Sequence, residues 1–159
     1  MRIGEMLVEL GVLTPDQVDE ALQEQESTGR PLGLICEDLF GVPPTTIEQA
    51  WATQYARIAM RVDPLREPCD LAVQSKVTPR QAWQFRVLPI RFDHFFFNDT
   101  ATTETDLPRA LRFATRVVGH PVHLVLSEPA ALGAALCRRY PLAGMTPDAI
   151  GAHCDRLAS

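Results

Sequence analysis

The stretch that decides the fold is residues 2–25, RIGEMLVELGVLTPDQVDEALQEQ, because residues 31–54, PLGLICEDLFGVPPTTIEQAWATQ, repeat its pattern 29 positions later. Self-similarity at a fixed period indicates two copies of one supersecondary unit, which bury a common core by packing together. The match runs through both halves of each copy. The matched pairs are Ile3/Leu32, Gly4/Gly33, Met6/Ile35, Leu7/Cys36, Leu10/Leu39, Leu13/Val42, Val18/Ile47, Ala21/Ala50, Leu22/Trp51 and Gln25/Gln54.

Each copy has the pattern of a helical hairpin. Ile3, Met6, Leu7 and Leu10 lie at helical spacing and share one face of a first helix. Gly11 is a plausible end to that helix. The following run, 14–17 (Thr-Pro-Asp-Gln), has the residues of a helix start, with a threonine N-cap, proline at the first turn and glutamine at the third position.

Two glutamines and two arginines depart from simple amphipathic helices. Gln25 and Gln54 continue apolar faces, so each either bonds a neighbouring loop backbone or points into a shared ligand groove. Periodicity alone favours the first alternative. Arg2 and Arg30 precede helix starts, where the helix dipole disfavours cations, and this indicates a use such as anion binding.

The charge of the chain is unevenly distributed. Residues 1–54 hold ten acidic and two basic side chains, a net charge of −8, and the remainder carries +3. The total of −5 argues against general binding of nucleic acid, which needs a basic surface. With 46% apolar and 22% charged residues, the composition is that of an ordinary globular chain.

The repeated motif resembles a known one. The first copy, through Arg2-Ile3-Gly4, Leu7, Gly11-Val12-Leu13, Val18, Leu22 and Gln25, is similar to the 24-residue motif of the N-terminal domain of type II secretion and type IV pilus assembly ATPases, the MshEN type. Some members of that family bind cyclic di-GMP and carry the motif twice with a five-residue spacer. Residues 26–30 form a spacer of that length.

The second copy departs from this motif at three places. Pro31 stands where arginine is expected, with Arg30 adjacent, Glu37 replaces an apolar residue, and Phe40 replaces glycine, which comes one place later as Gly41.

The resemblance implies a ligand and its contacts. In the family each copy holds half of a two-fold symmetric ligand, with arginine and glutamine on guanine and phosphate and leucines against the base. The expected ligand is cyclic di-GMP, no cofactor is expected, and the alternative is a module that docks to a secretion, pilus or polysaccharide-export protein without nucleotide. The implied binding residues are Arg2, Ile3, Gly4, Leu7, Leu13, Gln25, Arg30, Leu32, Gly33, Ile47 and Gln54.

The rest of the chain predicts an α+β protein. We expect repeated helical hairpins over 1–55, a linker over 56–77, a small α/β subdomain over 78–142 and a helical tail over 143–159. The subdomain's expected elements are a helix over Thr78–Phe85, a strand over Arg86–Phe92, a helix over Asp106–Val118, a strand over Pro121–Leu126 and a helix ending at Tyr140.

Residues 94–104, HFFFNDTATTE, fit this pattern poorly. The run is also what a common sequencing adapter encodes in this frame, which favours an assembly artefact in the gene. The alternative is an unusual β-hairpin whose strand is Phe95–Phe97. No function is assigned to this run.

Several chemistries have no candidate residues. The single lysine, Lys76, has no glycines around it, so the phosphate-binding loop of ATPases is absent and we expect a domain without the motor and without catalysis. The four cysteines lack metal-site spacing, and His120 and His123 flank a Pro-Val step, so no metal site is expected. No signal peptide or apolar run of membrane-spanning length is apparent, which predicts a cytoplasmic protein that reaches a membrane only through a partner.

Overall fold

The computed structural model describes residues 2–68, 70–92, 98–118 and 122–150. The chain divides into two compact units, Met1–Ile58 and Ala59–Ser159, here called the first and second unit. The first unit is helical and the second combines helices with a sheet, so the predicted α+β class is confirmed.

The first unit consists of four helices, two from each copy of the repeat. They are α1 (Ile3–Glu9), α2 (Pro15–Thr28), α3 (Leu32–Phe40) and α4 (Pro44–Ile58). The predicted capping box starts α2, since the Thr14 hydroxyl accepts from the Gln17 backbone N–H at 3.2 Å and the Gln17 amide oxygen accepts from the Thr14 N–H at 2.9 Å.

The core of the first unit shows the repeat in three dimensions. Its buried residues form four pairs that are each 29 positions apart: Met6/Ile35, Leu7/Cys36, Leu13/Val42 and Ala21/Ala50. The displaced glycine of the second copy also has a structural reason. Helix α3 is longer than α1, and Gly41 caps its C-terminal end with φ +63. The 29-residue correspondence between the copies holds again at the next residue, Val42, which matches Leu13.

The second unit surrounds a three-stranded sheet. Its strands β1 (Leu88–Phe92), β2 (Asn98–Thr102) and β3 (Val122–Leu126) lie in that order, with β1 and β2 antiparallel and β2 and β3 parallel. The helices are α5 (Leu71–Gln74), α6 (Pro79–Phe85), α7 (Leu107–Phe113), which continues as a π-helical segment (Ala114–Val118), and α8 (Pro129–Arg139).

The segment 56–77 is not a free linker. The Val62 N–H donates to the Leu126 carbonyl and the Leu126 N–H donates to the Met60 carbonyl, both at 2.8 Å, so this segment pairs with β3. The Asp70 N–H donates to the Ile90 carbonyl of β1 at 3.2 Å. Backbone groups of β1 and β3, which are not the central strand, thereby gain hydrogen-bond partners that a sheet edge otherwise lacks.

One strand boundary differs from the prediction, and a second predicted strand cannot be compared. Arg86 is not in β1 but caps α6 in the left-handed region, with φ +54. In the run 94–104, β2 spans Asn98–Thr102, and the strand expected over Phe95–Phe97 falls outside the described residues. Thr100, Ala101 and Thr102 are buried, because β2 is the central strand.

The predicted tail is only partly described. Residues 148–150 begin a helical turn, and the remainder of the expected helix lies outside the described residues. Ile150 is 1% exposed, so the start of the tail belongs to the core of the second unit.

Candidate ligand-binding site

Two grooves lie on the first unit. Groove 1, of about 740 Å³, is lined by residues of α1 and α2 together with Leu32 of α3. Groove 2, of about 620 Å³, is lined by residues of α3 and α4 together with Arg2 and Ile3. Both volumes lie in the range of small-molecule sites.

The grooves are related by the repeat. Seven lining positions of groove 1 recur in groove 2 with a shift of 29, and each groove also receives one apolar side chain from the opposite copy, Leu32 in groove 1 and its counterpart Ile3 in groove 2. The repeat in the sequence therefore recurs in the lining of the two grooves. The seven pairs are Arg2/Pro31, Gly4/Gly33, Glu5/Leu34, Val8/Glu37, Val18/Ile47, Leu22/Trp51 and Gln25/Gln54.

Equivalent glycines let the helices approach closely in both grooves. A Cβ on Gly4 would lie 2.8 Å from Cγ1 of Val18, and a Cβ on Gly33 would lie 2.9 Å from Cγ2 of Ile47. Both distances are shorter than carbon–carbon contact, and the β-branched neighbours have restricted rotamers in a helix. The glycines are therefore required by helix packing, whether or not a ligand is bound.

Within the described ranges, Arg2 is the one residue with a charged side chain that lines both grooves. It is the N-cap of α1, and its backbone N–H donates to Oε2 of Glu5 at 2.8 Å. Among the residues that the structure describes, no carboxylate pairs with its guanidinium. An exposed guanidinium without a partner can form a forked contact with a phosphate or with a base edge.

Arg30, the expected arginine of the second copy, lies elsewhere. Its guanidinium pairs with the Asp38 carboxylate, which raises the pKa of Arg30 above its ordinary value through that hydrogen bond. Pro31 occupies the N-cap of α3 and lines groove 2 in place of arginine. The structure therefore places Arg30 outside both grooves.

The other predicted residues divide between groove and core. Leu7 and Leu13 are buried in the core of the first unit and line neither groove. Gln25 lines groove 1 and its Nε2 donates to the Arg30 carbonyl at 3.0 Å, so the loop contact expected from periodicity occurs. The predicted residues that line a groove are Arg2, Ile3, Gly4, Gln25, Leu32, Gly33, Ile47 and Gln54. Their role in binding stays a prediction.

Among the lining residues absent from the predicted set, two change the chemistry of groove 2. Trp51 lines groove 2 and stacks on Tyr55, with ring centroids 5.2 Å apart and 22° between the planes. Glu37 lines the same groove at the place of Val8. The alignment of the copies already contained the Leu22/Trp51 pair, so the signal for Trp51 was present in the sequence.

The described ranges offer no metal centre and no membrane span. No three histidine, cysteine or acidic side chains there come together as metal ligands, and His123 contacts Asp99 at 3.0 Å. Of the four cysteines, Cys36 and Cys137 are free thiols, and Cys69 and Cys154 lie outside the described residues. No helix within those ranges combines the length and apolar character needed to cross a bilayer.

No family model matches the chain, and neither does any curated protein. Among solved structures the chain is similar to that of MshE with cdg (cyclic di-GMP), at 23% identity over 88% of this chain and 99% of that one, with a TM-score of 0.48. It is also similar to the N-terminal domain of XpsE in two crystal forms. These match at 22% and 20% identity, over 87% and 86% of this chain and 93% and 92% of those, with TM-scores of 0.44 and 0.39. This likeness concerns the fold alone.

Proposed function

We propose that the first unit binds cyclic di-GMP across grooves 1 and 2, and that the chain is a non-catalytic regulatory domain. The observation that carries this proposal is the pair of repeat-related grooves that share Arg2. Cyclic di-GMP has two guanines and two phosphates related by a two-fold axis, so a receptor built from two related grooves matches its symmetry.

The chemistry of the two halves is unequal. Groove 1 offers an apolar wall that includes Val18, Leu22 and Leu32. Groove 2 replaces Leu22 by Trp51, whose ring provides a face on which a base can stack. It also contains Glu37, whose negative charge opposes a phosphate.

Arg2 dominates the electrostatics of the site. In the part of the chain that the structure describes, it is the single cation lining either groove, and the other charged lining residues are Glu5, Asp19 and Glu37. The ligand carries two negative charges and the surrounding unit is strongly acidic. Without Arg2, the charged side chains that are described as lining the grooves would all be negative.

We expect Arg2→Ala to weaken the binding of cyclic di-GMP about tenfold to a hundredfold, because a hydrogen bond to a charged group contributes about 1.5–3 kcal/mol. Arg30→Ala is the matched control. It removes the same charge from the same unit, but from a guanidinium that pairs with Asp38 and lines neither groove. Calorimetric titration of the full chain and the two variants measures both effects, and Arg30→Ala is expected to bind within about threefold of the wild type.

Two results would contradict the proposal. The first is the absence of binding heat with the unsubstituted chain. The second is equal loss of affinity in both variants, because net charge alone, and not the position of Arg2, would then explain the affinity.

A second candidate function is docking to a protein of a secretion, pilus or polysaccharide-export machinery. Helix α2 carries five acidic side chains and no basic one, so it is complementary to a basic partner surface. Leu10 and Leu39, at equivalent positions of the repeat, are 45% and 46% exposed. The two functions are compatible, since a ligand can alter the affinity of docking.

For docking we expect the double variant Glu20→Lys/Glu26→Lys to lose a partner that the wild type retains. Both side chains are exposed on α2 and line neither groove. Affinity capture from the native cell extract, with and without cyclic di-GMP, compares this variant with Arg2→Ala. A partner that both variants retain equally would argue against docking through α2.

A further inference from the structure

A separate cavity lies in the second unit, well apart in sequence from the repeated motif. It has a volume of about 700 Å³. One wall comes from α6 with its cap and from Arg109 of α7, and the other comes from residues 142–150. We call it the arginine cavity after the three arginines that line it, Arg80, Arg86 and Arg109.

The three arginines differ in how far they are already engaged. Arg86 contacts Oδ1 of the buried Asp106 at 3.2 Å, so its charge is compensated. Nη1 of Arg109 donates to the Gln84 carbonyl at 3.2 Å, which orients the guanidinium, and no carboxylate of the described ranges compensates its charge. The exposed Arg80 has no carboxylate partner among the described residues.

The charge of the cavity is therefore unbalanced. Of the described residues, no aspartate or glutamate lines it, and Asp106 offsets only one of its three cations. The opposite wall is largely apolar, with Leu142, Met145 and Ile150. An occupant that fits this pattern has an anionic group at one end and an apolar body at the other.

The arginine side of the cavity is also held in place. Arg86 has φ +54, a region that costs a residue with a Cβ about 1–2 kcal/mol, and it is the one non-glycine residue with positive φ in the described ranges. Asp106 is fixed in turn by the Thr103 hydroxyl, which donates to its Oδ2 at 2.6 Å. A strained residue held by a buried network is typical of binding sites.

We propose that the arginine cavity binds a small molecule that carries a phosphate or carboxylate group on an apolar body. Guanidinium groups bind both oxyanions through paired N–H donors, and the volume lies within the range of small-molecule sites. This site is independent of the grooves of the first unit and of the ligand proposed for them.

The test uses the full chain and three simple probes in a two-dimensional NMR titration at low ionic strength. Phenyl phosphate and benzoate distinguish the two oxyanions on the same apolar body, and phenol lacks the anion. We expect saturable shifts around α6 and residues 142–150 with at least one anion and not with phenol. Arg80→Gln and Arg109→Gln are each expected to weaken that binding about tenfold.

Arg138→Gln is the matched control, because Arg138 is exposed on α8 and does not line the cavity. It is expected to bind the probes as the wild type does. Arg80→Gln is also expected to bind cyclic di-GMP unchanged, so failure of this proposal is distinguishable from failure of the first. Shifts that are absent, that phenol reproduces, or that persist in both cavity variants would overturn the assignment.

Discussion

The variant Asp106→Ala is expected to lower the free energy of unfolding of the second unit by about 3–5 kcal/mol, the usual cost of removing one partner from a buried ion pair. The Asp106 side chain is 2% exposed and the Arg86 side chain 15%, so the pair is largely buried. The remaining arginine would be held in a left-handed conformation without its compensating charge.

Urea denaturation followed by tryptophan fluorescence measures this loss. The chain has two tryptophans, Trp51 in the first unit and Trp83 in the second, so Trp51→Phe gives a background in which fluorescence reports on the second unit. Asp106→Asn is the control. It preserves size and an acceptor for Thr103, and we expect it to cost about 1–2 kcal/mol less than alanine.

A double-mutant cycle separates the ion pair from other effects at the site. In Arg86→Ala/Asp106→Ala neither charge remains, so the double variant is expected to be more stable than the sum of the two single losses predicts. Additive losses would show that Arg86 and Asp106 are not energetically coupled. A loss below about 1 kcal/mol in Asp106→Ala would contradict the buried pair itself.

The first unit could be predicted well from the sequence because each of its core positions occurs twice. When Met6 is assigned to the core, the matching Ile35 independently supports that assignment. The buried core of the first unit consists of such matched pairs. The same periodicity does not separate core from groove. Leu7 and Leu13 fit the binding motif, yet the structure places both in the core. Burial depends on how the four helices pack, and spacing along one helix does not determine that packing.

The position of Arg30 was unpredictable for an electrostatic reason. Its adjacency to Pro31 made it a natural substitute for the expected arginine. Asp38, eight residues further on, lies within reach once α3 forms, and the side chain pairs there instead. The alignment of the two copies contains no information on this pairing, because the position equivalent to Asp38 is Glu9, which pairs with Arg57.

The second unit lacks a repeat, so its prediction depended on local signals alone. These located α6, β3 and α8 within a few residues. For the segment 56–77, predicted as a linker, they gave no sign of the pairing of residues 60–62 with β3, because that pairing is a tertiary contact. They also failed for Arg86, because positive φ is rare outside glycine, whereas here Arg86 takes that conformation as the C-cap of α6.

The variant Gly133→Ala is expected to destabilise the second unit by about 3 kcal/mol, although alanine is the better helix former. A Cβ at this position of α8 would lie 2.1 Å from the backbone oxygen of Pro147. No side-chain rotation relieves a clash with backbone, so the segment 142–150 must move. Ile150 would then leave the core, and full exposure of such a side chain costs about 1.5–3 kcal/mol.

The neighbouring variant Ala134→Gly is the reference for this experiment, because it removes a Cβ from the same helix. It is expected to lower the free energy of unfolding by only about 0.5–1 kcal/mol. Trp83 is a suitable probe for both variants, since its indole N–H donates to the Tyr140 carbonyl at 2.9 Å, just before the displaced segment. The same displacement would remove the apolar wall of the arginine cavity while leaving Arg80 and Arg109 in place. Gly133→Ala is therefore expected to weaken the binding of phenyl phosphate without affecting the binding of cyclic di-GMP. A Gly133→Ala variant as stable as the wild type would show that the segment 142–150 does not pack on α8.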